Sequence, residues 1–249
     1  MALSAVPLLS FARPPAVREL VAAGTRNEGI FERNANGEFA GMAVELIRLV
    51  AQRHNYQLRF QIYPWRRALE VVAGGKSDLL AAAYKTPERQ RVMRYSQHDF
   101  FRDEVAFYGR SRGRSSSSPG WQGDYARLAG RRIAVINGWS YGPAFTRVAP
   151  QLLISVTNTV ENGLRMLDRG HVELFASNRR DTEPVLDALG LRDTVIALTP
   201  LIDMLNAYFT YPLTLRYPEL PAQMDMLLSE MKKNGELQKL AHRYGATPP

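Results

Sequence analysis

Apolar and polar positions alternate between two periods along most of the chain, and the switches mark its elements. VRELVAAGT, residues 17–25, has strand composition and ends in a turn residue. In MAVELIRLVAQRH, Met42, Leu46, Leu49 and Val50 recur at helical spacing, and LRFQIY (58–63) then alternates as a strand. WRRALEVVAGG reads as a helix from Trp65 to a glycine stop at Gly74 and Gly75, followed by SDLLAAAY as a buried strand. Strand, helix, strand, helix, strand is the order of a parallel sheet covered by helices.

EVAFYGR predicts a further strand, and RSRGRSSSSPGWQG after it cannot bury apolar area, so a boundary falls there. A second alternating series begins at Arg131. RRIAVI, LLISV, VELFA and TVIAL predict strands; YGPAFTRVA and DTEPVLDAL predict helices, the latter closed by Gly190. Asn158 with Glu161 has the spacing of a cap for one more helix, ending at Gly170. NAYFTYPL (206–213) is the last strand. In the tail Leu220, Met224, Leu227, Leu228 and Met231 share a helical face, which breaks at Asn234-Gly235 and resumes with Leu237 and Leu240. Two α/β lobes account for this pattern.

The 249 residues carry a formal net charge of +8, compatible with anionic partners. Their basic pairs, such as Arg66-Arg67 and Arg179-Arg180, are scattered, and no basic run argues for nucleic acid. The absence of cysteine excludes disulfides and thiolate chemistry. His54, His98, His171 and His242 form no ligand-spaced pair, so neither a metal nor another cofactor is expected. No apolar run is long enough for a membrane span. Near the start, Ser10-Phe11-Ala12 has the small-x-small form of an export cleavage site without a basic beginning; it reads equally as a disordered leader.

Two motifs carry candidate chemistry. Gly138-Trp139-Ser140-Tyr141-Gly142 is a literal G-x-S-x-G between strand and helix, with Asp203 and His242 in hydrolase order behind it but no oxyanion motif ahead. The same turn also offers backbone N–H groups and the Ser140 hydroxyl to an anion without any nucleophile. In Thr86-Pro87-Glu88-Arg89, threonine and proline suit a helix start. An arginine at the carboxyl end of a parallel strand also faces the crevice where open α/β sheets bind ligands.

The succession GEFAGMAVELIRLVAQRH, YPWRRALEVVAGGKSDLLAAAYKTPERQRVMRYS, LAGRRIAVINGWSYG, DRGHVELFASN and MKKNGELQKLAHRYG, from about Val17 to Gly245, resembles the bacterial extracellular solute-binding proteins of family 3. That resemblance implies a two-lobe periplasmic binding protein fold (type II), each lobe a mostly parallel sheet flanked by helices, joined by a two-stranded hinge. Lobe 1 would hold residues 1–108 and 204–249, and lobe 2 residues 109–203. Arg89, matching the family's T-x-x-R arginine, would bind a ligand carboxylate, met from lobe 2 by Ser140 and the turn from Gly138. Trp65 would stack on the ligand, and Asn27 and Glu28 would line the pocket. Trp139 and Tyr84 join the expected ligand-binding set. Asn178 stands where amino acid binders place the acid that pairs with the ligand ammonium, and Tyr84 and Lys85 replace the usual hydroxyl residues before T-x-x-R.

The resemblance thus implies a monomeric, periplasmic, non-enzymatic receptor. It would pass a small carboxylate-bearing solute, an amino acid or a derivative, to an ABC transporter permease by hinge closure, its signal peptide truncated or absent. A sensing receptor of the same fold is the alternative. An enzyme is the third reading, either a Ser140 hydrolase or a dehydratase-like site using Glu28.

Overall fold

The computed structural model describes residues 18–111 and 121–249. The export-site pattern at Ser10-Phe11-Ala12 and most of the serine-rich segment lie outside them. Strand β1 (Arg18–Gly24) leads through a loop to the small β2–β3 pair (Glu32–Arg33, Phe39–Ala40) and helix α1 (Met42–Arg53). The apolar stripe of α1, Met42, Leu46, Ile47 and Val50, is buried on the sheet. Then come β4 (Tyr56–Ile62), α2 (Trp65–Ala73), β5 (Leu79–Tyr84), the short α3 (Pro87–Gln90), β6 (Met93–Tyr95) and β7 (Phe101–Arg110).

The second series is β8 (Arg132–Ile136), α4 (Pro143–Val148), β9 (Leu153–Thr157), α5 (Val160–Asp168), β10 (Leu174–Asn178), α6 (Arg179–Leu189) and β11 (Val195–Ala197). β12 (Asp203–Pro212) returns to the first sheet, and α7 (Leu220–Lys233) and α8 (Glu236–Arg243) close the chain. Among the described residues no helix is long and apolar enough to cross a membrane.

The halves share one curled sheet, ordered β4-β1-β5-β12-β7-β10-β8-β9. β4-β1-β5 and β10-β8-β9 are parallel, as expected from their crossover helices. β7 and β12 pair antiparallel, Phe101 to Val105 against Ala207 to Asp203, and are the only hydrogen-bonded strands in that path linking the two parallel groups. β7 contributes to both sides: Phe101 packs with Leu20, Met42 and Phe209, whereas Val105 and Phe107 pack with Trp121, Ile133 and Phe145.

Local differences from the sequence expectation have simple causes. The cap of α5 is Thr159, whose hydroxyl accepts from the Asn162 N–H at 3.1 Å; Glu161 instead pairs with Arg165 one turn on. α6 starts at Arg179, ahead of the expected DTEPVLDAL, because the Asn178 side chain accepts from the Asp181 N–H at 2.8 Å and caps it. β6 has no alternation signal; its three residues pair with β12.

Candidate functional site

The carboxyl ends of the parallel strands from both halves converge on one cleft, the place where open α/β sheets present their loops. Gly24 and Thr25 follow β1, Ala83 and Tyr84 end β5, Trp139 and Ser140 follow β8, and Asn178 ends β10; all line the cleft. Arg89, Trp65, Asn27, Asp103 and Asp181 complete its polar and aromatic wall, and Phe31, Ala81 and Phe101 give it an apolar floor. The water-accessible space between these side chains is about 50 Å3, room for a few water molecules.

Arg89 is set by local chemistry. The Thr86 hydroxyl accepts from the Arg89 N–H at 3.3 Å and Pro87 opens the helical turn, so the chain leaving β5 is bent to bring the guanidinium back over the strand end. There Arg89 donates to the Tyr84 carbonyl at 3.0 Å and, across the cleft, to the Gly138 carbonyl at 2.9 Å. Its guanidinium lies 5.1 Å from the Trp65 ring centre. Trp65 Nε1 donates to the same Gly138 carbonyl at 2.8 Å. Gly138 can present that carbonyl because its φ of 74° is a left-handed conformation that a side chain would strain. Burial lowers the Arg89 pKa from its usual value, and no carboxylate among the described residues forms an ion pair with it. An anion supplied from outside would relieve that cost.

The opposite wall is built around a residue pair absent from the expected set. Arg180, in the first turn of α6, grips Asp103 of β7 with two parallel bonds, Nε to Oδ1 and Nη2 to Oδ2, both 2.9 Å. Its Nη1 donates to Asp181 at 2.7 Å and, across to the β1 loop, to Asn27 Oδ1 and the Glu28 carbonyl. Tyr84 donates its hydroxyl to Asp103 at 2.5 Å, and Asn178 Nδ2 donates to Asp181 at 2.9 Å. Burial favours the uncharged form of Arg180, but the Asp103 and Asp181 carboxylates outweigh it and hold the pKa above its ordinary value. Burial pushes the Tyr84 phenol well up, with Asp103 adding to the effect.

Arg89, Ser140, Trp65, Asn178, Trp139, Tyr84 and Asn27 therefore share one cleft. Glu28 does not line it. Glu28 lines a neighbouring groove with Glu32 and Glu183 and reaches Arg180 only through its backbone. His242 sits on α8 beside Arg102 and Lys232 in yet another pocket, and no histidine lines the cleft, so the G-x-S-x-G serine has no imidazole beside it. Asn178 spends its carbonyl on capping α6 and its amide on Asp181. Asp103, Arg180 and Asp181 escaped the sequence reading. Their signal was the charged triplet Arg102-Asp103-Glu104 inside the apolar run FFRDEVAFYG and the string NRRD at a strand end.

The profile of the bacterial extracellular solute-binding proteins, family 3, matches residues 22–247. The chain belongs to that family. No curated protein sequence matches it. Among solved structures, this family 3 chain is similar to a histidine kinase sensor domain with similarity to periplasmic binding proteins, at a TM-score of 0.78 and 18% identity over 94% of this chain and 99% of that one. A mutant of the arginine-binding protein of T. maritima superposes at 0.73, with 16% identity over 91% and 94% of the two chains. An ancestral amino acid-binding protein, a precursor of cyclohexadienyl dehydratase, follows at 0.70, with 16% identity over 91% and 94%. The fold is thus the two-lobe periplasmic binding protein fold.

Proposed function

We propose that this family 3 protein captures a small carboxylate-bearing solute, an amino acid or a derivative, in the cleft between its lobes and hands it to an ABC transporter permease. Arg89 carries the reading: a partly buried guanidinium at a strand end, 5.1 Å from the Trp65 ring centre and in no salt bridge with a carboxylate among the described residues. A ligand carboxylate would take its remaining N–H donors in place of water, with Ser140 and the Gly138 turn approaching from the facing lobe. Because the two sides of that contact belong to different lobes, binding favours the closed arrangement by differential contact, and β7 with β12 is the hinge. The protein is read as a binding protein rather than an enzyme, working as a monomer in the periplasm.

Arg89→Ala should abolish the thermal stabilisation that small carboxylates give the wild type. Each lost charge-assisted bond is worth about 1.5–3 kcal/mol, so two such bonds put the loss of affinity at about a hundredfold or more. Unchanged carboxylate binding in Arg89→Ala would sink the assignment. Likeness to the sensor domain supports a second reading, a receptor for signalling. Capture of a permease by the liganded protein favours transport; capture of a membrane-bound kinase favours sensing.

A further inference from the structure

The cation end of the cleft is already filled. In a site that binds a zwitterion, carboxylates opposite the anion-binding arginine wait for the ligand ammonium. Here both carboxylates that line the cleft, Asp103 and Asp181, are engaged by the chain itself. Asp103 Oδ1 accepts from Arg180 Nε, and Oδ2 accepts from Arg180 Nη2 and the Tyr84 hydroxyl. Asp181 Oδ1 accepts from Arg180 Nη1, and Oδ2 from the Asn178 amide. No carboxylate oxygen in the cleft is without a donor.

Arg180 has the bearing of a bound ligand cation. Its side chain is 11% exposed and Asp103 is 2% exposed, so the pair is desolvated together. Its guanidinium also lies 5.1 Å from the Phe101 ring centre and reaches Asn27 on the facing loop. A tethered cation pays no translational entropy to bind, and its effective concentration exceeds that of any free amine at ordinary solute levels. An entering ammonium competes for these carboxylates with a bidentate guanidinium, which would be left unpaired where it is buried if displaced. Burial raises the Asp181 carboxyl above its ordinary value, against the Arg180 charge that holds it down. The rest of the wall, Phe31, Ala81, Ala82 and Phe101, offers contact to hydrocarbon.

Resting on the carboxylate reading of Arg89, we infer that Arg180 is a specificity-determining residue: a resident cation that makes the cleft select carboxylates with an uncharged apolar body and reject those carrying an ammonium or guanidinium group. The ligand class is then short apolar monocarboxylates rather than ordinary or basic amino acids.

Two ladders of matched probes test this by calorimetric titration of the full chain: hexanoate, norleucine and lysine, which share a six-carbon acid chain with no, one and two amino groups; and 3-phenylpropionate against phenylalanine. The wild type should bind the amine-free member of each ladder at least about tenfold more tightly than its aminated partners, the value of one charge-assisted hydrogen bond. Arg180→Gln frees Asp103 and Asp181 and should shift the preference toward norleucine and lysine by about tenfold or more. If that variant does not fold, Arg180→Gln with Asp181→Asn, which removes the like-charge pair left without its counter-cation, should still lose the preference for the amine-free acids. Tighter wild-type binding of norleucine than hexanoate, or of phenylalanine than 3-phenylpropionate, overturns the inference while leaving Arg89 in place. Silence of the wild type toward every member of both ladders overturns the carboxylate reading itself.

Discussion

Tyr95 shows how much of the site depends on single half-buried groups. It donates its hydroxyl to the Tyr84 carbonyl at 3.1 Å, the same carbonyl that receives Arg89, and burial pushes its phenol up to about 12. The native protein therefore keeps a proton that the unfolded chain releases from about pH 10, so stability falls as pH rises between about 10 and about 12, at up to about 1.4 kcal/mol per pH unit for this group. Denaturant midpoints at pH 9.5 and 11.5 check the sign. Tyr95→Phe, which has no proton to lose there, should give the shallower fall; an equal fall in both proteins would remove Tyr95 as a contributor. Single side chains were also the hardest feature of the sequence to read. Thr86-Pro87-Glu88-Arg89 announced both the helix start and the arginine, because capping is local chemistry. Asp103 gave only an oddity in an apolar run, since its partner is far along the chain.

At the scale of elements, periodicity located most strands and helices, and the errors fell at their ends. α6 starts two residues early because a side-chain cap outweighs helix propensity, and β6 exists only because β12 supplies its hydrogen bonds. Helix α5 carries a sharper test of packing. Gly163 lies in its middle, where alanine would ordinarily favour the helix by about 1 kcal/mol. A methyl there would run into the fully buried ring of Phe175 on β10. Overpacking of this kind costs about 1–3 kcal/mol, so Gly163→Ala should lower the melting temperature despite its better propensity. A variant as stable as the wild type would show that the ring has room to shift.

Across the whole molecule, the two lobes are joined through backbone hydrogen bonds of a continuous sheet rather than through a linker alone. Each lobe has its own apolar clusters, but β7 supplies side chains to both, so one lobe cannot unfold without stripping partners from the other. Unfolding should thus be a single transition. Fluorescence of Trp65, on α2 of one lobe, and of Trp121, buried in the other, can be isolated in variants that keep one of the two in a Trp139→Phe background. Coincident denaturant midpoints are expected; separated midpoints would show that the shared strands do not couple the lobes.

The α/β class, the two series of strands and helices, the family and the position of Arg89 after a strand end were all legible along the chain, because each of these rests on local periodicity, capping or the order of motifs. The sequence also put a neutral amide, Asn178, at the end of β10. Which charges gather beside that amide depends on the folded chain. Asp103 comes from a hinge strand, Asp181 and Arg180 from a helix end, Tyr84 from the other lobe, and Asn27 from a loop far before them all. Spacing along the chain says nothing about that meeting. It arises because a curled sheet brings the carboxyl ends of both parallel groups to one cleft, where burial makes any unpaired charge costly and leaves Arg180 held by the acids around it.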